Sequence, residues 1–396
     1  MSLSSALPRS RESLPAEFTR SEVCDSAGIA ALEADYAHLQ TATGNTLPFA
    51  LYEWHVTWCR HFLNVQPEVQ DQPRFQILRD AAGRCVGIIP LVLSRRRVGP
   101  FSVVSVGLLG ADPAVTEIRG GLVVPGFEHL AARAVRAGLE HIQGWDWIQW
   151  TGAASWLMAL AAEGQLEPQI PLQSYVLDLP PTWEMFRAGL KRNIRESLRH
   201  CYNSLKRDGH AFEMEVVSDA SQVGAALDHF LALHALRADM KNTRVHPNRF
   251  ASVVSQRFLY DVCTQFAKRG VLRIFQLKVG GDIVAMRIGF VVADSLYLYY
   301  SGFDPAWAKY SVMTTTVAEA IKYAIAHGLQ TVNLSPGADV SKTRWGPRVV
   351  EHPMMYEQGR RLRSRLAAGM YIAAKHGDGF SSWVAKRLSP SRRRWD

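Results

Sequence analysis

The chain has 396 residues, 47% of them apolar, and carries a formal net charge of +9. At this length two domains are expected, because single hydrophobic cores stop growing before it. The five cysteines, Cys24, Cys59, Cys85, Cys201 and Cys263, form no CxxC pair and have no companion histidine cluster, which excludes a zinc site or a disulfide framework and predicts a reducing, cytoplasmic setting.

Residues 1–25 mix Arg9, Arg11, Glu12, Glu17, Arg20 and Glu22 with small residues and contain no continuous apolar block. They read as a flexible tail, not as a signal peptide or membrane span. A first α/β unit is expected over 26–180. Within it, 74–96 has the form strand, Ala-Gly turn, strand, and 102–110 and 118–125 are further strand candidates. Leu130, Ala134, Ala137 and Ile142 predict a helix over 128–142, a strand follows at 146–150, and the unit closes near 174–181.

The segment 181–209 is helical by pattern and ends at Gly209, after Lys206 and Arg207. Leu190, Ile194, Leu198, Cys201 and Leu205 form an apolar stripe, while Arg192, Arg195, Arg199 and Lys206 recur on a neighbouring face. Guanidiniums at this spacing suit a phosphate or carboxylate, or else make a solvated basic face. Helices are then expected at 219–240 and 248–268, strands at 271–278, 283–293 and 295–302, a helix at 309–327 and a strand at 330–334. This second unit, 181–355, repeats the order of the first with longer strands. Its longest apolar run, 283–292, is interrupted by Arg287 and has strand length, so the protein is expected to be soluble or at most peripheral.

Three places in the second unit carry candidate chemistry. The helix start at Lys309, Tyr310, Ser311 and Val312 reads as a phosphate cradle, because free N–H groups at a helix start attract anions; that points to an acyl-CoA or similar phosphorylated donor. His234 and Arg237 lie three apart on one helical face, as a general base and an anchor for an acidic acceptor. By strict alternation Tyr297 and Tyr299 share one strand face and Tyr300 takes the other, where it is a candidate to protonate a leaving thiolate; the alternative is packing. In the loop 335–346, Asp339 offers a carboxylate to orient a nucleophile, and Lys342 and Arg344 offer cations beside Trp345. Asp339, Tyr300 and His234 are thus the catalytic candidates. Arg192, Arg195, Arg237, Lys342, Arg344 and Trp345 are the substrate-binding ones.

From Tyr356 to the end, ten Lys/Arg stand against three Asp/Glu. Leu362, Leu366 and Met370 recur among Arg360, Arg361, Arg363 and Arg365, followed by Phe380, Trp383 and Leu388, which predicts a basic amphipathic helix over part of a tail from residue 356. Docking on the protein through the apolar stripe, with solvated arginines outside, is the favoured reading. Peripheral association with an anionic inner-membrane surface is the alternative. Nucleic acid is not expected as a partner, since no reader motif accompanies the charge.

The succession of 189–209, the His/Arg helix, the hairpin, 309–328 and 335–346 resembles the acetyltransferase family named after the cellulose-biosynthesis proteins CelD and BcsL, of the GNAT superfamily and related to the FemAB aminoacyltransferases. The family's Arg-Asn-hydrophobic-Arg core is matched by Arg192, Asn193, Ile194 and Arg195, its Tyr-Ser pair by Tyr310 and Ser311, and its late Lys-x-x-Trp by Lys342 to Trp345. The match is good over 170–350 and looser over 30–170. It implies an α/β fold of two tandem GNAT-like domains with mixed sheets, and acetyl-CoA or another acyl-CoA as co-substrate with no metal. It also implies two splayed central strands where a backbone N–H meets the thioester carbonyl. The implied activity is acyl transfer to an amine or hydroxyl of a sugar-linked or cell-envelope precursor, in exopolysaccharide synthesis. Two positions depart from the family: Val312-Met313 stand where relatives have Pro-Gly, and Asn333 stands where many have an acid. The alternatives are FemAB-like transfer from an aminoacyl-tRNA, using the basic tail and the Arg192 face, and an inactive scaffold of a polysaccharide synthesis complex.

Overall fold

The structure is a computed structural model that describes residues 15–367, apart from 16, 99–100, 112–114, 143, 153–154, 163–165, 241–245, 360 and 365. Of the tail positions singled out in the sequence, Arg360, Arg365, Met370, Phe380, Trp383 and Leu388 lie outside the described residues. In chain order the first half contains β1 (Thr19–Val23), α1 (Ser26–Ala30), α2 (Glu33–Thr43), α3 (Tyr52–Phe62), β2 (Val69–Arg79), β3 (Cys85–Val98), β4 (Phe101–Leu108), β5 (Leu122–Val123), α4 (Glu128–His141), β6 (Trp147–Thr151), α5 (Ser155–Ala162) and β7 (Glu167–Asp178). The second contains α6 (Trp183–Gly189), α7 (Arg192–Arg207), β8 (Phe212–Val217), α8 (Val223–Ala238), α9 (Val253–Lys268), β9 (Leu272–Val279), β10 (Asp282–Val292) and β11 (Ser295–Phe303). It closes with α10 (Val312–Ala326), β12 (Thr331–Pro336), α11 (Val340–Thr343) and β13 (Arg348–Gln358).

One mixed sheet runs through both halves in the order β1-β2-β3-β4-β6-β13-β7-β12-β11-β10-β9-β8, with β5 beside β3. Each half has the same centre. β4 leads through α4 to β6, and β11 leads through α10 to β12; each pair is parallel and bonded over three rows. The repeated order expected from the sequence is therefore a repeated strand–helix–strand unit. β13 lies antiparallel between β6 and β7 and joins the two units, while β7, at the end of the first unit by sequence, is bonded to β12 and β13.

Two expectations are corrected. Residues 19–23 are not loose: β1 pairs with β2, fixed by Arg20 to Gln76 Oε1 at 2.6 Å and an Arg74–Glu22 ion pair at 2.8 Å. The helix expected over 181–209 is two helices. Thr182 caps α6 by accepting from Met185 N–H at 3.2 Å, and after Gly189 the backbone of Leu190 is extended, so the chain turns before α7 begins. The predicted apolar stripe holds: Leu190, Ile194, Leu198, Cys201 and Leu205 are all buried.

The largest core spans both halves. Trp54, Trp58 and Phe62 of α3 meet Phe258 and Phe266 of α9, and Phe49 sits edge-on to Tyr297 of β11 at 5.1 Å. Trp54 also donates to Thr116 Oγ1 at 3.1 Å, which ties the loop after β4 to this core. Side chains of this size contribute several kcal/mol each on burial, about 3–5 for a Phe or Trp truncated to Ala. The first half is thus packed into the core of the second.

Candidate functional site

β11 and β12 pair as Ser295↔Thr331, Leu296↔Val332 and Tyr297↔Asn333, and then separate. β12 turns toward β7, and β11 continues to Phe303 against β10. The result is a wedge with its vertex at Tyr297 and its open end toward the start of α10. Along the free stretch of β11 the register shifts, with Arg287↔Ser301 followed by Gly289↔Leu298, so that Tyr299 and Tyr300 together oppose Ile288. This bulge breaks the strict alternation expected for the tyrosines: two residues facing one brings Tyr300 to the side of Tyr299, ring centroids 4.5 Å apart, with both against Phe250.

At the open end lies a cavity of about 300 Å³ lined by Arg237, Arg287, Ser301, Ser311 to Thr314 and Trp345, among others. Ser311 has a left-handed backbone, φ 53°, and its side chain makes no cap bond. The amides of Thr314 and Thr315 bond back to the Ser311 carbonyl, which leaves the amides of Val312 and Met313 as the open donors among the described residues. Beside them Arg344 reaches Ser197 Oγ at 2.6 Å and Thr314 Oγ1 at 3.5 Å. The equivalent start of α4 in the first half differs: the Glu128 carboxylate sits there and accepts from Gly126 N–H at 2.8 Å, so an anion already occupies that turn.

A charged cluster lies behind the cavity. Tyr297 donates to Glu117 Oε2 at 2.8 Å. Burial pushes the Glu117 carboxyl above the usual carboxylate range, against the opposing pull of Lys342, Tyr297, Arg287 and Arg249. Lys342 donates to Ser335 Oγ at 3.0 Å and to the Pro336 carbonyl, and burial lowers its pKa to about 8. Arg287 is buried, gives one bond to the Leu298 carbonyl at 3.1 Å, and keeps its Nε without a partner among the described residues; burial and then Arg237 lower its pKa to about 10. Ser335 is held left-handed, φ 70°, by its N–H donating to Asn333 Oδ1 at 2.9 Å, so the position where relatives carry an acid here shapes the lysine's socket. A carboxylate, Glu117, reaches this cluster from the first half.

The predicted site residues fall into separate places. Arg237, Ser311, Val312 and Trp345 line the cavity; Asp339 lies within electrostatic reach of Arg237, and Lys342 within that of Arg287, Asp339 and Arg237. Asp339 also caps α11, accepting from Ser341 N–H at 2.7 Å. Arg237 donates to Ser301 Oγ at 2.7 Å. Lys309 and Tyr310 are turned elsewhere: Tyr310 is buried with its hydroxyl on Asp208 at 2.9 Å, and exposed Lys309 lies over its ring. Both nitrogens of His234 are taken, Nδ1 donating to the Ser301 carbonyl at 2.8 Å and Nε2 accepting from Arg249 N–H at 3.3 Å. Burial lowers the pKa of His234 to about 4, so it stays neutral and pins α8 to β11. Its neighbour Gly302 permits the approach of α8, since a Cβ there would lie 2.4 Å from the His234 backbone nitrogen. Arg192 and Arg195 belong to a different groove of about 720 Å³, with Trp183, Arg187, Arg199 and Lys322. There Arg192 pairs with Glu196 and Arg195 caps the carbonyl of Ala188.

Sequence reasoning missed Glu117 and Arg287. Arg287 left a trace, a lone charge within the apolar run 283–292. Glu117 left almost none, because its role depends on a partner 180 residues away.

Residues 192–343 match the family model described as an acetyltransferase (GNAT) domain. Among solved structures the chain is similar to FemX, with TM-score 0.60 and 10% identity over 84% of this chain and 98% of that one. It is also similar to the C-terminal domain of a putative lysylphosphatidylglycerol synthetase from Agrobacterium fabrum, with TM-score 0.51 and 13% identity over 93% and 99% of the two chains. A protein of unknown function from Bacteroides thetaiotaomicron gives TM-score 0.51 and 10% identity over 85% and 99%. No curated protein matches the chain in sequence. The resemblance to the CelD/BcsL-like acetyltransferases is borne out over 192–343, and the fold is that of two tandem GNAT-like units. No helix among the described residues is long and apolar enough to cross a membrane.

Proposed function

We propose that the chain transfers an acyl group from coenzyme A to an amine or hydroxyl of a sugar-linked or cell-envelope precursor. A GNAT domain implies an acyl-CoA co-substrate. The observation that carries the reading is the wedge between β11 and β12, whose open end meets a cavity lined by the uncapped first turn of α10. In this arrangement the pyrophosphate lies on the amides of Val312 and Met313 with Arg344 alongside, and the pantetheine arm runs into the wedge. The acceptor class rests on the sequence resemblance to envelope-polysaccharide acetyltransferases.

The cluster at the vertex suits the chemistry. A nucleophilic amine must lose a proton as its lone pair attacks the thioester carbonyl, and Glu117, with a raised pKa and some accessible surface, accepts it. The tetrahedral oxyanion collapses with cleavage of the C–S bond, and the thiolate takes a proton from Lys342 or from solvent. Lys342 suits this donor role because its ammonium titrates near neutrality. Arg287 and Arg237 add positive charge toward the cavity.

Acetyl-CoA should raise the thermal midpoint saturably, as a ligand of the native state must. Free thiol should appear only when a competent amine or hydroxyl acceptor is added. Absence of any shift across acyl-CoA thioesters would remove the donor assignment. The basic groove on α7 favours a second reading, an aminoacyl-tRNA donor. That reading requires binding that falls steeply with salt, whereas coenzyme A binding should change little.

A further inference from the structure

The helical residues 362–364 and 366–367 are turned opposite to expectation. Ser364 and Ala367 face the protein, buried, while Leu362 and Leu366 are 74% and 62% exposed. The orientation is fixed by polar anchors. Ser364 Oγ donates to Asp146 Oδ1 at 2.8 Å, and the same buried carboxylate accepts from Val104 N–H at 2.8 Å. Gly359 N–H donates to the Asp146 carbonyl at 2.8 Å, and a Cβ on Gly359 would lie 2.6 Å from the Trp145 carbonyl oxygen. The leucines therefore cannot roll inward without breaking the Asp146 bonds.

Exposed arginines lie on the same stretch of chain and on the strand it reaches. Arg363 donates to the Ser102 carbonyl at 2.9 Å and pairs with the Asp146 carboxylate at 3.7 Å while staying more than half exposed, and Ser102 is the strand partner of Arg97; Arg95 and Arg97 are exposed on β3, and Arg361 is exposed just before Leu362. Two separate stretches of chain, one with Arg95 and Arg97 and one with Arg361, Leu362, Arg363 and Leu366, thus meet at Ser102. Solvent-facing leucines framed by cations match a surface that is apolar beneath an anionic layer. The remaining chain beyond 367 is itself basic, so like charge disfavours it as the cover.

We propose that this face docks the protein on an anionic lipid bilayer, with Leu362 and Leu366 entering the headgroup layer and Arg95, Arg97, Arg361 and Arg363 meeting lipid phosphates. The inference is independent of the acyl-transfer reading.

Vesicle cosedimentation of the full chain tests it, with phosphatidylcholine alone and with added phosphatidylglycerol. Binding is expected only with the anionic lipid and should weaken with salt. Arg95→Gln with Arg97→Gln should weaken it about thirtyfold, at about 1 kcal/mol per cation near the surface. Leu362→Asp with Leu366→Asp should abolish it while leaving the thermal midpoint and acyl-CoA binding unchanged. The proposal would be overturned by no vesicle binding, by vesicle binding indifferent to the leucine pair, or by loss of a self-associated state in the leucine variant without any vesicle binding. Retention on nucleic acid but not on vesicles would do the same.

Discussion

The Tyr297 hydroxyl, on β11 of the second unit, donates to the Glu117 carboxylate, in a loop of the first unit, at 2.8 Å. The neighbouring Tyr299 hydroxyl bonds the Val115 carbonyl of the same loop. These contacts place an acid from one GNAT-like unit at the vertex of the other's wedge.

Glu117→Gln keeps an acceptor for Tyr297 but cannot take a proton. Turnover should fall about a hundredfold or more, the range for loss of a general base. In the wild type kcat/KM should rise with pH through a value above the usual carboxylate range, because burial disfavours the charged base. The variant should lack that limb. A pH profile unchanged by the substitution would take Glu117 out of the reaction.

Lys342 gives an alkaline signature in stability. Its folded pKa of about 8 lies below the ordinary lysine value of 10.5, so between the two the unfolded chain binds more protons and stability rises with pH. Lys342→Met should be flatter than the wild type over that window in denaturant titrations. It should also lower turnover, since the variant has lost the proposed proton donor. Parallel stability curves for the two proteins would mean that the lysine is not buried beside Arg287 and Arg237.

Buried neutral histidines predict acid sensitivity. His55, with Tyr36 at 2.7 Å, is lowered to about 3, and His234 and His352 are lowered to about 4, each mainly by burial. The unfolded chain takes up their protons first, so stability should be lost as pH falls from about 6.5 toward 4. His234→Ala should cost about 1–3 kcal/mol by orphaning the Arg249 N–H and opening space beside Phe250, and should blunt this acid slope. A slope unaltered by the substitution would contradict a neutral His234.

Most of the frame was legible in the sequence because it rests on local signals. The hairpin at 272–303, the helix after it and the apolar stripe of α7 follow from periodicity and turn residues, which short-range sterics enforce. The strand pairing of β13 was not legible, since its partners β6 and β7 lie about two hundred residues away and nothing in 348–358 names them. The tyrosine faces were misread because a bulge is a property of two strands together. Of the site, the α10 start and the loop 335–346 were visible as helix-start and turn chemistry. Glu117 was not, because its raised proton affinity comes from burial, offset in part by Lys342 and Tyr297, and only the fold supplies that environment.

Arg344→Ala should weaken coenzyme A binding by about tenfold with little loss of stability. That is the size of a charge-assisted contact to phosphate, and among the described residues the guanidinium bonds Ser197 and Thr314. Titration calorimetry would read it directly. Equal affinity in the two proteins would move the phosphates away from this turn.

A crystal structure with a bound acyl-CoA thioester tests the central claim most directly. The pyrophosphate should lie within hydrogen-bond reach of the Val312 and Met313 amides, and the thioester should lie between β11 and β12, facing Glu117. Coenzyme A seated instead in the Arg192–Arg199 groove, with the wedge closed by side chains, would contradict it.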